Sequence, residues 1–330
     1  MKKLRYAVSI IVVLLALSIV SVFAVSKTSS EEVVTIRFGH GAAESNERHQ
    51  AVMKFKELVE KASNNEIKVE VYPNEQLGSE AEMVESVTMN SLQMVAAAAF
   101  NQYDQRISAF ELPYLFHSKE QAWQVLDGEI GQEVAAPLLE DNLRVLAYFE
   151  NGFRHITSNK PIETPEDLAG VKIRTPEVPV SIDSFRAMGA NPTPMAFGEL
   201  YMALQQGTVD AQENPIANIY AARFNEVQQY LNKTYHQYTP LPVAINEGVW
   251  QSLSSNHQEI LKSSAKKAAQ FHRDLIDENE KKMEEELEDQ GMEVIEPDTA
   301  PFKEKVEVVY EKYKKEFGEE FINMLLEAAE

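Results

Sequence analysis

Thr164-Pro-Glu-Asp-Leu-Ala-Gly170, followed at once by Val171-Lys-Ile-Arg174 and Thr175-Pro176, reads as one helix–strand unit. Thr164 is a helix cap, Pro165 fits the first turn, Asp167 is the acidic third position and Gly170 ends the helix. Val171 to Arg174 then forms a short strand, and Pro176 keeps the chain from turning helical after it. The same alternation extends in both directions. Upstream, Val33 to Gly39, Ile67 to Tyr72 and Leu143 to Phe149 read as strands, with helices from about Asn46 to Ser63, from Glu80 and from Lys119. Leu92 to Phe100 is almost wholly apolar, as a strand buried on both faces would be. Downstream, a helix from Glu199 to Gln206 stops at Gly207, a long helix covers 253–290, Met292 to Ile295 adds a strand, and the tail from Pro301 is helical. Strands alternating with helices predict an α/β fold. No internal repeat and no Gly- or Ser-rich linker interrupts it.

The chain has 330 residues, enough for two domains with a core each. Lys2, Lys3 and Arg5 precede an apolar run from Ala7 to Ala24, and Val22-Phe23-Ala24 offers the small residues a signal peptidase reads. This predicts an export signal over 1–24, the alternative being an uncleaved anchor, because the run is just long enough to span a bilayer. There is no cysteine, which removes disulfides, thiolate metal sites and cysteine nucleophiles together. The net charge of −21 argues against nucleic acid or acidic membrane surfaces as partners. The acidic run from Asp277 to Asp289 reads as a solvated helix face with alternating-sign pairs.

Motifs for nucleotide cradling (Gly-x-x-x-x-Gly-Lys-Ser/Thr, Gly-x-Gly-x-x-Gly), the Gly-x-Ser-x-Gly elbow and His-Glu-x-x-His are all missing. The seven histidines lack metal-ligand spacing. Glu44 and Glu47 beside His40 and His49 are explained as a solvated helix start. No cofactor, metal or catalytic residue is expected. What stands out is Asn151 to Pro215, which sets Arg154, Arg174, Phe197 and Asn214 at strand ends and at a helix start. A strand-end arginine offers a rigid, always-charged fork that fits a carboxylate with two bonds. Structural salt bridges use the same arrangement, and a phenylalanine such as Phe197 also serves as core.

Seven segments in order carry a specific resemblance: Tyr72-Pro…Gln76-Leu-Gly78, Leu112-Pro-Tyr-Leu-Phe116, Asn151-Gly-Phe-Arg…Thr157-Ser-Asn159, Lys172-Ile-Arg-Thr-Pro176, Thr193-Pro-Met-Ala-Phe197, Tyr201-Met-Ala-Leu-Gln-Gln-Gly207 and Val209-Asp-Ala-Gln-Glu-Asn-Pro215. From about Val33 to Phe321 the chain resembles the substrate-binding proteins of tripartite ATP-independent periplasmic (TRAP) transporters, the DctP-like family. The resemblance implies a two-lobed, hinge-closing architecture with a long helix touching both lobes. One lobe would be 31–151 plus 240–278, the other 152–239 plus 279–330. Arg174 matches the arginine that clamps the ligand carboxylate, Arg154 a second arginine on the same group, Asn214 an amide completing the site and Phe197 an aromatic packed on the ligand. His40 falls at a polar first-loop contact and Glu80 at an acidic residue near the pocket. Asn101 is expected to bond ligand hydroxyls; Glu213 is either a hydroxyl acceptor or a buried partner of an arginine.

The resemblance further implies a small-molecule carboxylate ligand and the membrane subunits of a TRAP transporter as partners, with the receptor a monomer. Sialate-binding relatives place a glutamate and an arginine where this chain has Ala96-Ala-Ala-Ala-Phe-Asn101, so a different sugar acid, such as a hexuronate, is expected. A C4-dicarboxylate receptor and a ligand-presenting sensor module are the alternatives. The dicarboxylate would need a second positive group opposite Arg174, and no clear one shows in the sequence.

Overall fold

A computed structural model describes residues 33–329; the expected export signal lies outside them. The element order is β1 (Val34–His40), α1 (Glu47–Ala62), β2 (Ile67–Tyr72), α2 (Glu80–Thr88), β3 (Met94–Ala96), α3 (Lys119–Asp127), α4 (Glu129–Ala135) and β4 (Leu143–Ser158). There follow β5 (Lys172–Thr175), α5 (Pro179–Ala187), β6 (Asn191–Pro194), α6 (Leu200–Gln205), β7 (Ala211–Asn214), α7 (Ile216–Ala221) and β8 (Tyr230–Asn246). The chain ends with α8 (Glu247–Ser252), α9 (Ser255–Asp289), β9 (Glu293–Ile295), α10 (Ala300–Phe317) and α11 (Glu319–Ala328).

All nine strands join one mixed sheet in the order β2-β1-β3-β8-β4-β7-β5-β6, with β9 beside β8. Two long antiparallel strands, β4 and β8, form its middle and splice the parallel pair β1–β3 to the parallel set β7–β5–β6. Their pairing shifts register at three places, one of them between Glu150 and Gly152. Gly152 sits there at φ +107°, a conformation that favours glycine, and such a bulge bends the strand just before Arg154. The 35-residue α9 packs against α1, β4 and α7, burying Leu261, Ala265, Ala268, His272, Ile276, Met283 and Leu287 along one stripe. Its acidic half is solvated as expected, with Lys281–Glu285 and Lys282–Glu286 pairs one turn apart.

Several expected boundaries move. The apolar run Leu92 to Phe100 is buried through most of its length, yet only Met94 to Ala96 pair as strand. At Ala98 the backbone N–H donates to the Glu80 carboxylate at 2.7 Å and not to a neighbouring strand, so the ladder ends there. The helix at Thr164 is a 3₁₀ turn over Pro165–Leu168, closed by a capping box between Thr164 and Asp167. The expected helical tail is two helices, broken at Gly318 (φ +99°).

Candidate functional site

The sheet brings most of the expected residues to one region. Arg154 lies on β4, Glu213 and Asn214 on the adjacent β7, and Arg174 on β5, which follows β7 in strand order. His155 faces Asn214 in the β4–β7 register and Arg174 faces Gln212 in the β5–β7 register. The two arginines are nearly equal in burial, with 4% and 3% of their surfaces exposed. Their partners differ completely.

Arg154 is committed to Glu213. Its Nε and Nη2 both bond the carboxylate, and Nη2 also donates to the Glu213 carbonyl at 2.7 Å. His236 Nε2 lies 3.3 Å from the same carboxylate. Burial pushes the Glu213 carboxyl up, but the Arg154 charge and the bonds from His236 and Arg154 outweigh it and hold it below the usual range. Of the two readings open for Glu213, the geometry gives the buried arginine partner. Arg154, expected as a second carboxylate clamp, has one whole edge of its guanidinium occupied by protein.

Arg174 is the opposite case. Its Nε and Nη2 donate to the single backbone carbonyl of Met195, at 3.0 and 2.7 Å. Among the described residues no carboxylate lies within ion-pair distance of it. Burial, with Arg154 adding to it, pulls its pKa down to about 10 despite the opposing pull of Glu213, Glu80 and Glu75. A buried guanidinium without a carboxylate partner gains from a bound anion.

Arg174 lines a cavity of about 130 Å³ together with Glu75, Glu80, Asn101, Glu177 and Phe197. A second cavity, about 210 Å³, shares Glu75 and Phe197 as its wall and adds Asn46, Asn74, Tyr201 and Asn218. Phe197 is half-buried, edge-on to Phe224 at 6.0 Å, and so borders both cavities while resting on core. Asn101 Nδ2 donates to the Glu177 carbonyl at 3.2 Å, joining the loop after β3 to the loop after β5. Glu80 caps the wall: Oε1 accepts from Arg48 at 2.6 Å and Oε2 from Ala98.

His40, Arg154, Glu213 and Asn214 line neither cavity. His40 ends β1 fully buried, with Nε2 3.1 Å from His49 Nδ1 and its own Nδ1 unpartnered. Burial first, then the Arg48 charge, lower its pKa to about 3, so the ring is neutral. Asn214 belongs to a chain of buried amides. It donates to Gln212 at 2.6 Å and accepts from Asn218 at 3.2 Å, and Asn218 reaches Asn151 at 3.2 Å.

Two residues near the site escaped the sequence. Arg48, in the first turns of α1, is buried and bonds both Glu80 and Asn151 (2.9 Å), tying α1 to α2 and β4. Of the helix start read as solvated, Glu44 is exposed as expected, whereas Glu47 is packed away with Arg48. Glu75, in the loop after β2, borders both cavities, accepts the Gly198 N–H at 2.9 Å and keeps Oε1 buried without a partner. The one sequence signal was its place inside Tyr72-Pro…Gln76-Leu-Gly78.

A larger cavity, about 510 Å³, lies between α3, α4, β4 and α9 and holds none of the expected residues. Its arginines are already paired, the half-buried Arg144 with Glu247 and the buried Arg273 with Asp127, so it offers no counterpart to Arg174.

The chain matches the family of bacterial extracellular solute-binding proteins, family 7, over residues 38–316. It is 37% identical over 271 residues to the 2,3-diketo-L-gulonate-binding periplasmic protein YiaO of Escherichia coli, covering 81% of this chain and 83% of the relative. It is 31% identical over 306 residues to the C4-dicarboxylate-binding periplasmic protein DctP of Rhodobacter capsulatus, covering 91% and 92%. A TRAP periplasmic solute-binding protein from a Polaromonas species, solved with D-erythronate, superposes with a TM-score of 0.86 at 35% identity, covering 89% of this chain and 98% of that one. The protein is a TRAP-type solute-binding protein of the DctP family, with the two-lobed α/β fold of that class. That makes it a receptor and not an enzyme. Among the described residues no helix is long and apolar enough to cross a membrane.

Proposed function

We propose that this receptor captures a small sugar acid outside the cytoplasm and delivers it to TRAP membrane subunits. The observation that carries the proposal is Arg174: a buried guanidinium with no carboxylate partner among the described residues, bordering a cavity fit for a small ligand. A ligand carboxylate supplies the missing charge and takes the donors Met195 does not use. Asn101, Glu80 and Glu75 around the same cavity suit hydroxyls, while Phe197 packs on the carbon chain. The sugar-acid relatives named above are more similar to this chain than the dicarboxylate relative, which points the same way.

The dicarboxylate reading needs a second cation, and the residues that line the Arg174 cavity include no other: Arg48 bonds Glu80 from outside it, and Glu75, Glu80 and Glu177 are acidic, which disfavours a second carboxylate. In the mechanism proposed, 31–151 plus 240–278 and 152–239 plus 279–330 act as lobes, β4 and β8 serve as the hinge, and ligand contacts from both sides favour the closed state. Closure excludes water and strengthens the Arg174–carboxylate pair. The 1–24 segment directs export.

Titration calorimetry of residues 25–330, unfolded and refolded to strip ligand, tests this with D-glucuronate, L-galactonate and succinate. Binding of a sugar acid that disappears in Arg174→Ala supports the proposal. Binding of succinate alone, or of no carboxylate, contradicts it.

A further inference from the structure

We infer that Glu75 is the residue that selects a polyhydroxy monocarboxylate over a dicarboxylate in this receptor. The inference rests on the reading of Arg174 as the carboxylate anchor. Glu75 is held in place by its backbone as much as by its side chain. Asn74 and Glu75 both take the left-handed conformation, at φ +56° and +54°, and their N–H groups donate to Ala42 and His40 carbonyls at 2.9 and 3.3 Å. The loop is thereby folded back against the end of β1 with its carboxylate between the two cavities.

A glycine leaves the space for it: a Cβ at Gly198 would collide with Glu75 Oε2. On the far side, the Gly198 N–H holds Oε2, so the loop after β2 is bonded to the loop after β6 directly beside Arg174. Oε1 remains buried with no partner. Buried acceptors without donors are rare in native proteins, and a ligand hydroxyl is the partner this one lacks.

The charges around the cavity make the selection. Glu80 is paired with Arg48 from outside the cavity, which leaves Arg174, Glu75 and the exposed Glu177 as the charged lining residues without a salt-bridge partner among the described residues, and of the two carboxylates only Glu75 has a buried, unbonded oxygen. A ligand whose one end is a carboxylate and whose remainder is hydroxylated satisfies both Arg174 and Glu75. A second carboxylate would lie against Glu75 and be repelled, and like charges brought together across a binding surface are strongly discriminated against. Burial, reinforced by Glu80, raises the Glu75 pKa to about 7. The repulsion is therefore fully present in alkaline solution and weakens as the pH falls through neutrality.

The test titrates wild type, Glu75→Gln and Arg174→Ala with D-glucuronate, L-galactonate, D-erythronate and fumarate at pH 8. Fumarate is doubly ionised throughout the pH range used. The expected result is that Glu75→Gln tightens fumarate binding at least about tenfold while sugar-acid binding stays equal or weakens. A change of the same size for both ligand classes would overturn the inference while leaving Arg174 in its role. Sugar-acid binding that survives Arg174→Ala, or that is absent in wild type, would instead remove the reading on which it rests. Wild type provides a second measurement needing no variant. Its fumarate affinity should rise, relative to sugar acid, as the pH falls from 8 to 6, and a constant ratio would count against Glu75.

Discussion

Arg154 and Arg174 come from one stretch of chain, sit two strands apart in one sheet and are equally buried, yet they do different work. Around Arg154 every charge is answered: Glu213 takes the guanidinium in two bonds, and His236 lies against the same carboxylate oxygen, Oε2, that Arg154 Nε bonds. Around the Arg174 guanidinium one backbone carbonyl, that of Met195, is the hydrogen-bond acceptor that the described residues supply. Burial alone therefore says little about the use of a charged side chain. Whether its counter-charge is built in is what distinguishes Arg154, already satisfied within the fold, from Arg174, the anchor proposed for the ligand.

The strongest way to break this contrast is to remove each arginine in turn. Arg154→Ala leaves the buried Glu213 carboxylate with His236 alone beside it, and should cost on the order of 3–5 kcal/mol of stability in urea unfolding. Arg174→Ala should cost clearly less, because it strands no buried carboxylate. Equal losses would erase the distinction.

Glu213→Gln sharpens it from the other side. The folded-state pKa of Glu213 lies below its ordinary value, so its contribution is present above about pH 4.5 and is lost as the pH falls through the folded value. Wild type should exceed Glu213→Gln by roughly 2–3 kcal/mol at pH 7, with the gap closing in acid. A gap independent of pH would mean that the pair is not what stabilises this part of the sheet.

On the ligand side the order reverses. Losing two charge-assisted bonds to a carboxylate in Arg174→Ala should weaken sugar-acid binding by about 3 kcal/mol, roughly a hundredfold. Phe197→Ala, which removes an aromatic wall shared by both cavities, should weaken it by about 1–2 kcal/mol without the stability loss of Arg154→Ala. Unaltered affinity in Phe197→Ala would return that ring to the core.

Much of this was legible in the sequence because it depends on local signals. Capped turns, terminating glycines and apolar runs marked the strand and helix order, and the arginines of β4 and β5 stood out, although Arg154, read as a strand-end fork, lies inside β4 (Leu143–Ser158), because pairing with β8 carries that strand on to Ser158. What was hidden depends on contacts between distant segments. That Glu213 lies where Arg154 can reach it follows from β4 pairing with β7, which no local pattern announces. Arg48 sits in Asn46-Glu-Arg-His49, as polar as any solvated helix start, and only packing of α1 against α9 and β4 buries it. The 17-residue β8 carries Pro240 and Pro242, residues that argue against a central strand. A register shift in its pairing with β4, between Glu150 and Gly152, adjoins Pro240, while Pro242 pairs in register with Tyr148. Glu75 looked like any turn residue until the loop after β6 met it.

The most direct test of the account is a thermal-shift screen of residues 25–330, stripped of ligand, against uronic, aldonic and C4-dicarboxylic acids, run beside Arg174→Ala. Ligand that binds only the folded state raises the melting temperature with concentration. The account predicts a rise in wild type with sugar acids that is absent in Arg174→Ala, while the two unliganded proteins melt within a few degrees of each other. A rise that persists in Arg174→Ala, or no rise with any carboxylate, would contradict it.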